Sequence, residues 1–162
     1  MFAPDLMTLA ETVVTRARSR RMTLATAESC TGGLVAAALT SVAGSSAVLE
    51  QGAVTYSNAA KTRMLGVPEA LIAAHGAVSK PVAEAMAAGA RDRAGVDVAV
   101  SVTGIAGPGG GSADKPVGLV HFGLATAEGV RHVERRFTQQ DRQAIRGAAT
   151  EQALMLLLEG LA

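Results

Sequence analysis

The chain is nearly without aromatic side chains: one Tyr, three Phe and no Trp, 2% of the sequence. Bound single strands need stacking platforms, so this composition weighs against nucleic-acid ligands. Net charge is lacking too. A formal value of +1 gives no global pull towards a polyanion. The one dense basic run, Arg16-Ala17-Arg18-Ser19-Arg20-Arg21, falls where the first helix should end, and there it complements the helix dipole. Cysteine occurs once, at Cys30, which excludes an intrachain disulfide and a Cys-based zinc cluster. No stretch approaches the ~20 apolar residues of a membrane span. Met1 to Leu9 contains Pro4 and Asp5 and does not read as a signal peptide. The expectation is a cytoplasmic protein with no nucleic-acid and no membrane partner.

What is present is apolar and small. Apolar residues make up 49% of the 162, enough for one domain over 1–162 with a core of Ala, Val, Leu and Ile. A first helix is expected over Pro4 to Arg20, with Leu6, Leu9, Ala10, Val13, Val14 and Ala17 on one face. Met22 to Thr26 reads as a strand and Leu34 to Leu39 as a helix. Gln51 to Tyr56 is a second strand, and Asn58 caps a short helix over Ala59 to Leu65. Gly66-Val67-Pro68 breaks that helix, and Glu69 to Ala74 carries another. Ser79-Lys80-Pro81 opens a longer one to Ala94. Val96 to Thr103 is β-branched, as expected of a strand covered on both faces. Val117 to Thr126 and Val130 to Thr138 form a hairpin through Ala127-Glu128-Gly129, and Asp141 to Leu161 is a closing helix. This order predicts an α/β fold, a three-layer α/β/α sandwich with a mixed, mainly parallel sheet of about five strands. Apolar faces on the first and last helices suit packing on the sheet or a homodimer.

Ligands of open α/β sheets collect beyond the carboxyl ends of the strands. Three segments fall at such ends: Ser29 to Gly33, Tyr56 to Lys61, and Thr103 to Ser112. In the first, small residues lead into a helix whose opening N–H groups have no internal partner. A hydroxyl there could be a nucleophile beside an oxyanion hole, or Ser29 or Thr31 could simply cap the helix. Lys61, in the first turn of a helix, would have its pKa lowered by the dipole and by burial. It could then take a proton from a serine, or it could be an ordinary solvated lysine. Tyr56 could donate to a reacting centre or lie at the rim. Cys30 is a rival nucleophile or a small buried side chain.

Other chemistries fail on pattern. The loop Gly104 to Ser112 lacks the Gly-Lys-Ser/Thr of a Walker A motif, and no helix follows it as in a dinucleotide fold. No Gly-x-Ser-x-Gly elbow is present. His75, His121 and His132 show no paired spacing, so no metal site and no cofactor is expected.

Five segments together resemble one family. They are Ala27-Glu28-Ser29-Cys30-Thr31-Gly32-Gly33, Val54-Thr55-Tyr56-Ser57-Asn58 with Lys61, His75-Gly76-Ala77-Val78-Ser79, Gly104-Ile105-Ala106-Gly107-Pro108 and Lys115-Pro116-Val117-Gly118. In this order they resemble the CinA C-terminal domain family, whose active members are nicotinamide-nucleotide amidases. The resemblance covers nearly the whole chain. It implies hydrolysis of the carboxamide of nicotinamide mononucleotide, without metal, to nicotinate mononucleotide and ammonia. Ser29 would be the nucleophile, Lys61 its base, and Tyr56 an aid to proton transfer. Backbone N–H groups around Cys30, Thr31, Gly32 and Gly33 would stabilise the oxyanion. Thr103 and the loop Gly104, Ile105, Ala106 and Gly107 would line the nucleotide pocket. Arg142, or Arg146 one turn on, would meet the phosphate. Two other readings compete: a catalytically silent nucleotide-binding module, and a hydrolase using Cys30.

Overall fold

The computed structural model describes residues 2–138 and 141–162. Helix α1 spans Pro4–Arg20, with proline in its first turn and Arg18 and Arg20 in its last. Strand β1 runs Leu24–Glu28, two residues later than the periodicity suggested. All five of its residues are buried, so no alternation marks its ends. Helix α2 is Leu34–Thr40, and a 3₁₀ turn at Ser45–Ala47 leads into β2, Leu49–Val54. Helices α3 (Asn58–Leu65), α4 (Glu69–His75) and α5 (Lys80–Ala94) follow. The chain finishes with β3 (Val98–Gly104), β4 (Leu119–Thr126), β5 (Gly129–Arg136) and α6 (Arg142–Gly160).

The sheet order is β2-β1-β3-β4-β5. β1 pairs in parallel with β2 and β3, and β4 pairs antiparallel with β3 and β5. Only β4 therefore opposes the common strand direction. The three strands that precede the candidate segments lie side by side and end together.

Two apolar layers sandwich the sheet. On one side Val13, Val14 and Ala17 of α1 and Ile145, Ala149, Ala153 and Leu157 of α6 pack with Val98, Val100 and Phe122. On the other, Leu65, Val82, Met86 and Ala90 pack with Ala25, Ala27, Ala53 and Ala99. The apolar faces of the first and last helices are thus buried on the sheet. Small residues let helices and strands approach closely. A Cβ on Gly89 of α5 would lie 1.9 Å from the Leu65 carbonyl oxygen, so a larger residue would push α5 and the end of α3 apart. Among the described residues, no helix is long and apolar enough to cross a membrane.

Candidate active site

The loop between β1 and α2 is held from two sides. The Ser29 N–H donates to Val102 O at 2.9 Å and continues the sheet one residue past β1. Gly32 N–H then donates to Ser29 O at 3.0 Å and closes a turn. Gly32 and Gly33 take φ of +60° and +101°, where a side chain would be strained.

Helix α2 does not offer its N-terminus to a ligand, contrary to the sequence expectation. The Glu28 carboxylate accepts from Val35 N at 2.9 Å and Ala36 N at 3.0 Å, with Thr26 Oγ1 at 3.3 Å. Glu28 is 1% exposed. A buried carboxylate needs such donors, and the helix end needs an acceptor, so each satisfies the other. The cap reaches forward from the strand, whereas local capping rules look at the residues next to the helix. The donors left for an oxyanion are those of the turn itself. Among the described residues, no backbone carbonyl takes the Cys30 or Thr31 N–H.

Lys61 enters from α3. Its cap is Ser57, whose hydroxyl accepts from Ala60 N at 3.0 Å, and Asn58 instead lines the pocket. Lys61 is 1% exposed. Its Nζ lies 3.1 Å from Ser29 Oγ and donates to Thr55 O at 2.8 Å, with Tyr56 O at 3.5 Å. Among the described residues no carboxylate lies within ion-pair distance of it. Burial pushes its pKa below that of an ordinary lysine. A neutral amine can donate to the Thr55 carbonyl and still turn its lone pair to the Ser29 hydroxyl. The cause is burial, and the amine itself rests on the Thr55 and Tyr56 carbonyls.

Ser29, Cys30, Tyr56, Asn58, Lys61, Ala77, Val78, Thr103, Gly104, Ala106 and Arg142 line one pocket of about 240 Å³. The loops after β1, β2 and β3 and the loop between α4 and α5 therefore converge with α3 and α6, as the strand order allows. Tyr56 is 61% exposed, and its hydroxyl accepts from Arg142 Nη2 at 2.9 Å, so it sits at the rim. Arg142 Nη1 also donates to Gly107 O at 2.8 Å, which ties α6 to the glycine loop. Arg146, one turn on, points elsewhere: Nε donates to Cys30 O at 3.0 Å and Nη2 to Thr31 O at 3.1 Å. Thr103 Oγ1 donates to Ala77 O at 2.9 Å.

Several expected pocket residues do not face it. The Thr31 side chain is fully buried, Gly32 and Gly33 lie outside the lining, Ile105 is spent on bonds to the segment that leads into β4, and the Gly107 carbonyl takes Arg142. Ile105 N–H donates to Leu119 O, and Gly118 N–H to Ile105 O. What approaches Gly104 is β4 rather than a ligand, since a Cβ there would meet Leu119 O at 2.8 Å.

Cys30 is 5% exposed, and burial pushes its thiol up to about 11. A thiolate is therefore scarce at neutral pH, which argues against the cysteine reading. Two histidines without paired spacing in sequence are paired in space: His121 Nδ1 lies 2.8 Å from His132 Nε2. The hairpin register places His121 beside Glu134 and His132 beside Gly123, on one sheet face. Burial, and next the neighbouring His132 ring, lower the His121 pKa, and burial lowers that of His132.

A buried lysine amine, with no carboxylate partner among the described residues, lies 3.1 Å from a serine hydroxyl where the parallel strands of an α/β/α sandwich end. The chain belongs to the CinA C-terminal domain family, whose profile matches residues 6–161. It is 53% identical over 153 residues to the nicotinamide-nucleotide amidohydrolase PncC of Escherichia coli K12, covering 94% of this chain and 93% of that one. It is 54% identical over 149 residues to a CinA-like protein of Anaeromyxobacter dehalogenans. There it covers 92% of this chain but 36% of the relative, so it spans about a third of such longer proteins. The crystal structure of a competence/damage inducible protein from Agrobacterium tumefaciens superposes with a TM-score of 0.96 at 48% identity. That match covers 99% of this chain and 98% of the other.

Proposed function

We propose that this chain is a nicotinamide-nucleotide amidase, hydrolysing nicotinamide mononucleotide to nicotinate mononucleotide and ammonia through Ser29 and Lys61. The observation that carries the reading is the 3.1 Å contact between Ser29 Oγ and a buried lysine amine that has no carboxylate partner among the described residues. The relatedness to the Escherichia coli amidohydrolase supports the choice of substrate.

The neutral Lys61 amine takes the Ser29 hydroxyl proton as Oγ attacks the carboxamide carbon. The carbonyl oxygen becomes an oxyanion against the N–H groups of Cys30 and Thr31. As the C–N bond breaks, Lys61 returns the proton to the leaving nitrogen and ammonia departs. A water then adds to the acyl carbon, giving its proton to Lys61, and nicotinate mononucleotide is released as Lys61 returns that proton to Ser29. Thr55 O holds the amine in place through both halves. The pocket's 240 Å³ falls below the ~300 Å³ of common small-molecule sites. It takes the pyridine ring and leaves ribose and phosphate at the rim, beside Tyr56 and Arg142. Two donors of Arg142 are occupied, and its remaining N–H groups are available to a phosphate.

The test is ammonia release from nicotinamide mononucleotide by the wild type, Ser29→Ala and Lys61→Met. Turnover by the wild type, reduced about 10⁴-fold or more in each variant, is the expected result. A folded wild type that binds the nucleotide without releasing ammonia would instead be a silent binding module.

A further inference from the structure

We propose that Arg146 orients and polarises the peptide that receives the oxyanion, a positioning role separate from phosphate binding. The inference rests on the amidase reading above. Three of its donors are accounted for inside the protein: Nε on Cys30 O, Nη2 on Thr31 O, and Nη1 on Gln143 Oε1 at 3.1 Å. The cation is thus aimed at two successive carbonyls of the nucleophile turn rather than into the pocket.

A trans peptide points its N–H opposite its C=O. The Cys30 carbonyl shares a peptide with the Thr31 N–H. Anchoring that carbonyl to α6 turns the Thr31 N–H to the opposite side, from which Lys61 enters on α3. A charged donor on a carbonyl also draws density from the peptide and strengthens its N–H as a donor. The second contact works on the neighbouring peptide. Thr31 C=O shares it with the Gly32 N–H, which closes the turn on Ser29 O at 3.0 Å. One guanidinium therefore sets both the oxyanion donor and the turn that presents Ser29. Gly32 leaves room for it, since a Cβ there would lie 3.2 Å from Arg146 Nη2. Helix α2 cannot substitute, because Glu28 occupies the N–H groups of Val35 and Ala36.

The test compares wild type, Arg146→Gln and Arg146→Lys in two assays. One is turnover of nicotinamide mononucleotide. The other is the rate at which a fluorophosphonate labels Ser29, read by intact mass, since phosphonylation also builds charge on an oxygen beside the nucleophile. Arg146→Gln should lower kcat and the labelling rate about tenfold, less than the 10²–10³-fold of a deleted oxyanion donor. KM should stay within about twofold, and Arg146→Lys should recover most of the loss, because charge and one donor remain. If Arg146→Gln melts below the assay temperature, Arg146→Lys carries the test with a drop of about threefold in kcat at constant KM. A loss confined to KM would make Arg146 a phosphate ligand and overturn the proposal. Unchanged kcat, or a labelling rate equal to wild type, would overturn it as well. A wild type that is labelled but releases no ammonia overturns the amidase reading alone, and the labelling ratios still decide Arg146. A wild type that does neither removes both.

Discussion

The two ends of the sheet carry very different clefts. The larger, about 660 Å³, lies at the end opposite the strand termini that hold Ser29. It is lined by Arg20, Asp97, Glu128, Arg131 and Glu159 among others. Three of its charged groups are committed to close protein partners. Arg131 pairs with Glu159, and Asp97 accepts from Thr23 N at 2.8 Å. The smaller cleft at the carboxyl ends contains a buried amine facing a hydroxyl, with no acid to neutralise it among the described residues. Volume alone does not distinguish the two ends. Desolvation does, because burial lowers the pKa of Lys61, a side chain that is charged in water.

The largest effect expected from this contrast is in the pH profile. Lys61 acts as a base only when neutral, and its pKa is lowered by burial. A lysine is neutral above its pKa, so kcat/KM should rise with pH and level off at a value below the ordinary 10.5. A rate that falls with rising pH over that range would mean that the ammonium, not the amine, is the working form.

Next in size is Glu28→Gln. The amide keeps one acceptor oxygen but loses the charge held by Val35 N and Ala36 N. Urea unfolding should show a loss of about 2 kcal/mol, the scale of a buried charge-assisted hydrogen bond. Turnover should fall too, because α2 and the Ser29 turn share this anchor. Unaltered stability would mean that the carboxylate does not hold the helix end.

The smallest effect belongs to the distal cleft. Arg131 and Glu159 are half exposed, and such pairs contribute ~0–1 kcal/mol. Arg131→Ala should shift the melting temperature slightly and leave kcat and KM at wild-type values. A change in turnover would break the contrast between the two ends and give the larger cleft a part in the reaction.

The elements themselves were largely legible. Proline in the first turn of α1 and the Ser79-Lys80-Pro81 opening of α5 set helix starts that the structure keeps to the residue. The β-branched run before Gly104 marked a buried strand, though β1 was displaced because a strand buried on both faces has no alternation to fix its register. Ser29 and Lys61 stood out as segments expected to converge if their strands were parallel neighbours. Ser29 and Lys61 meet only because β1 and β2 are parallel and adjacent.

What the sequence determined by itself was the alternation of helix and strand, the absence of bridging cysteines, and the motifs that resemble one family. Those depend on local periodicity and on residue identity. Tertiary structure decided which groups are partnered. It sent Glu28 to the start of α2, turned Arg142 to the pocket and Arg146 to the Ser29 turn, and left Lys61 without an acid among the described residues. The two arginines are one turn apart on one helix, so spacing could not separate their roles. Only the position of α6 against two different loops does, because a side chain's chemistry is set by the groups that surround it after the chain has folded.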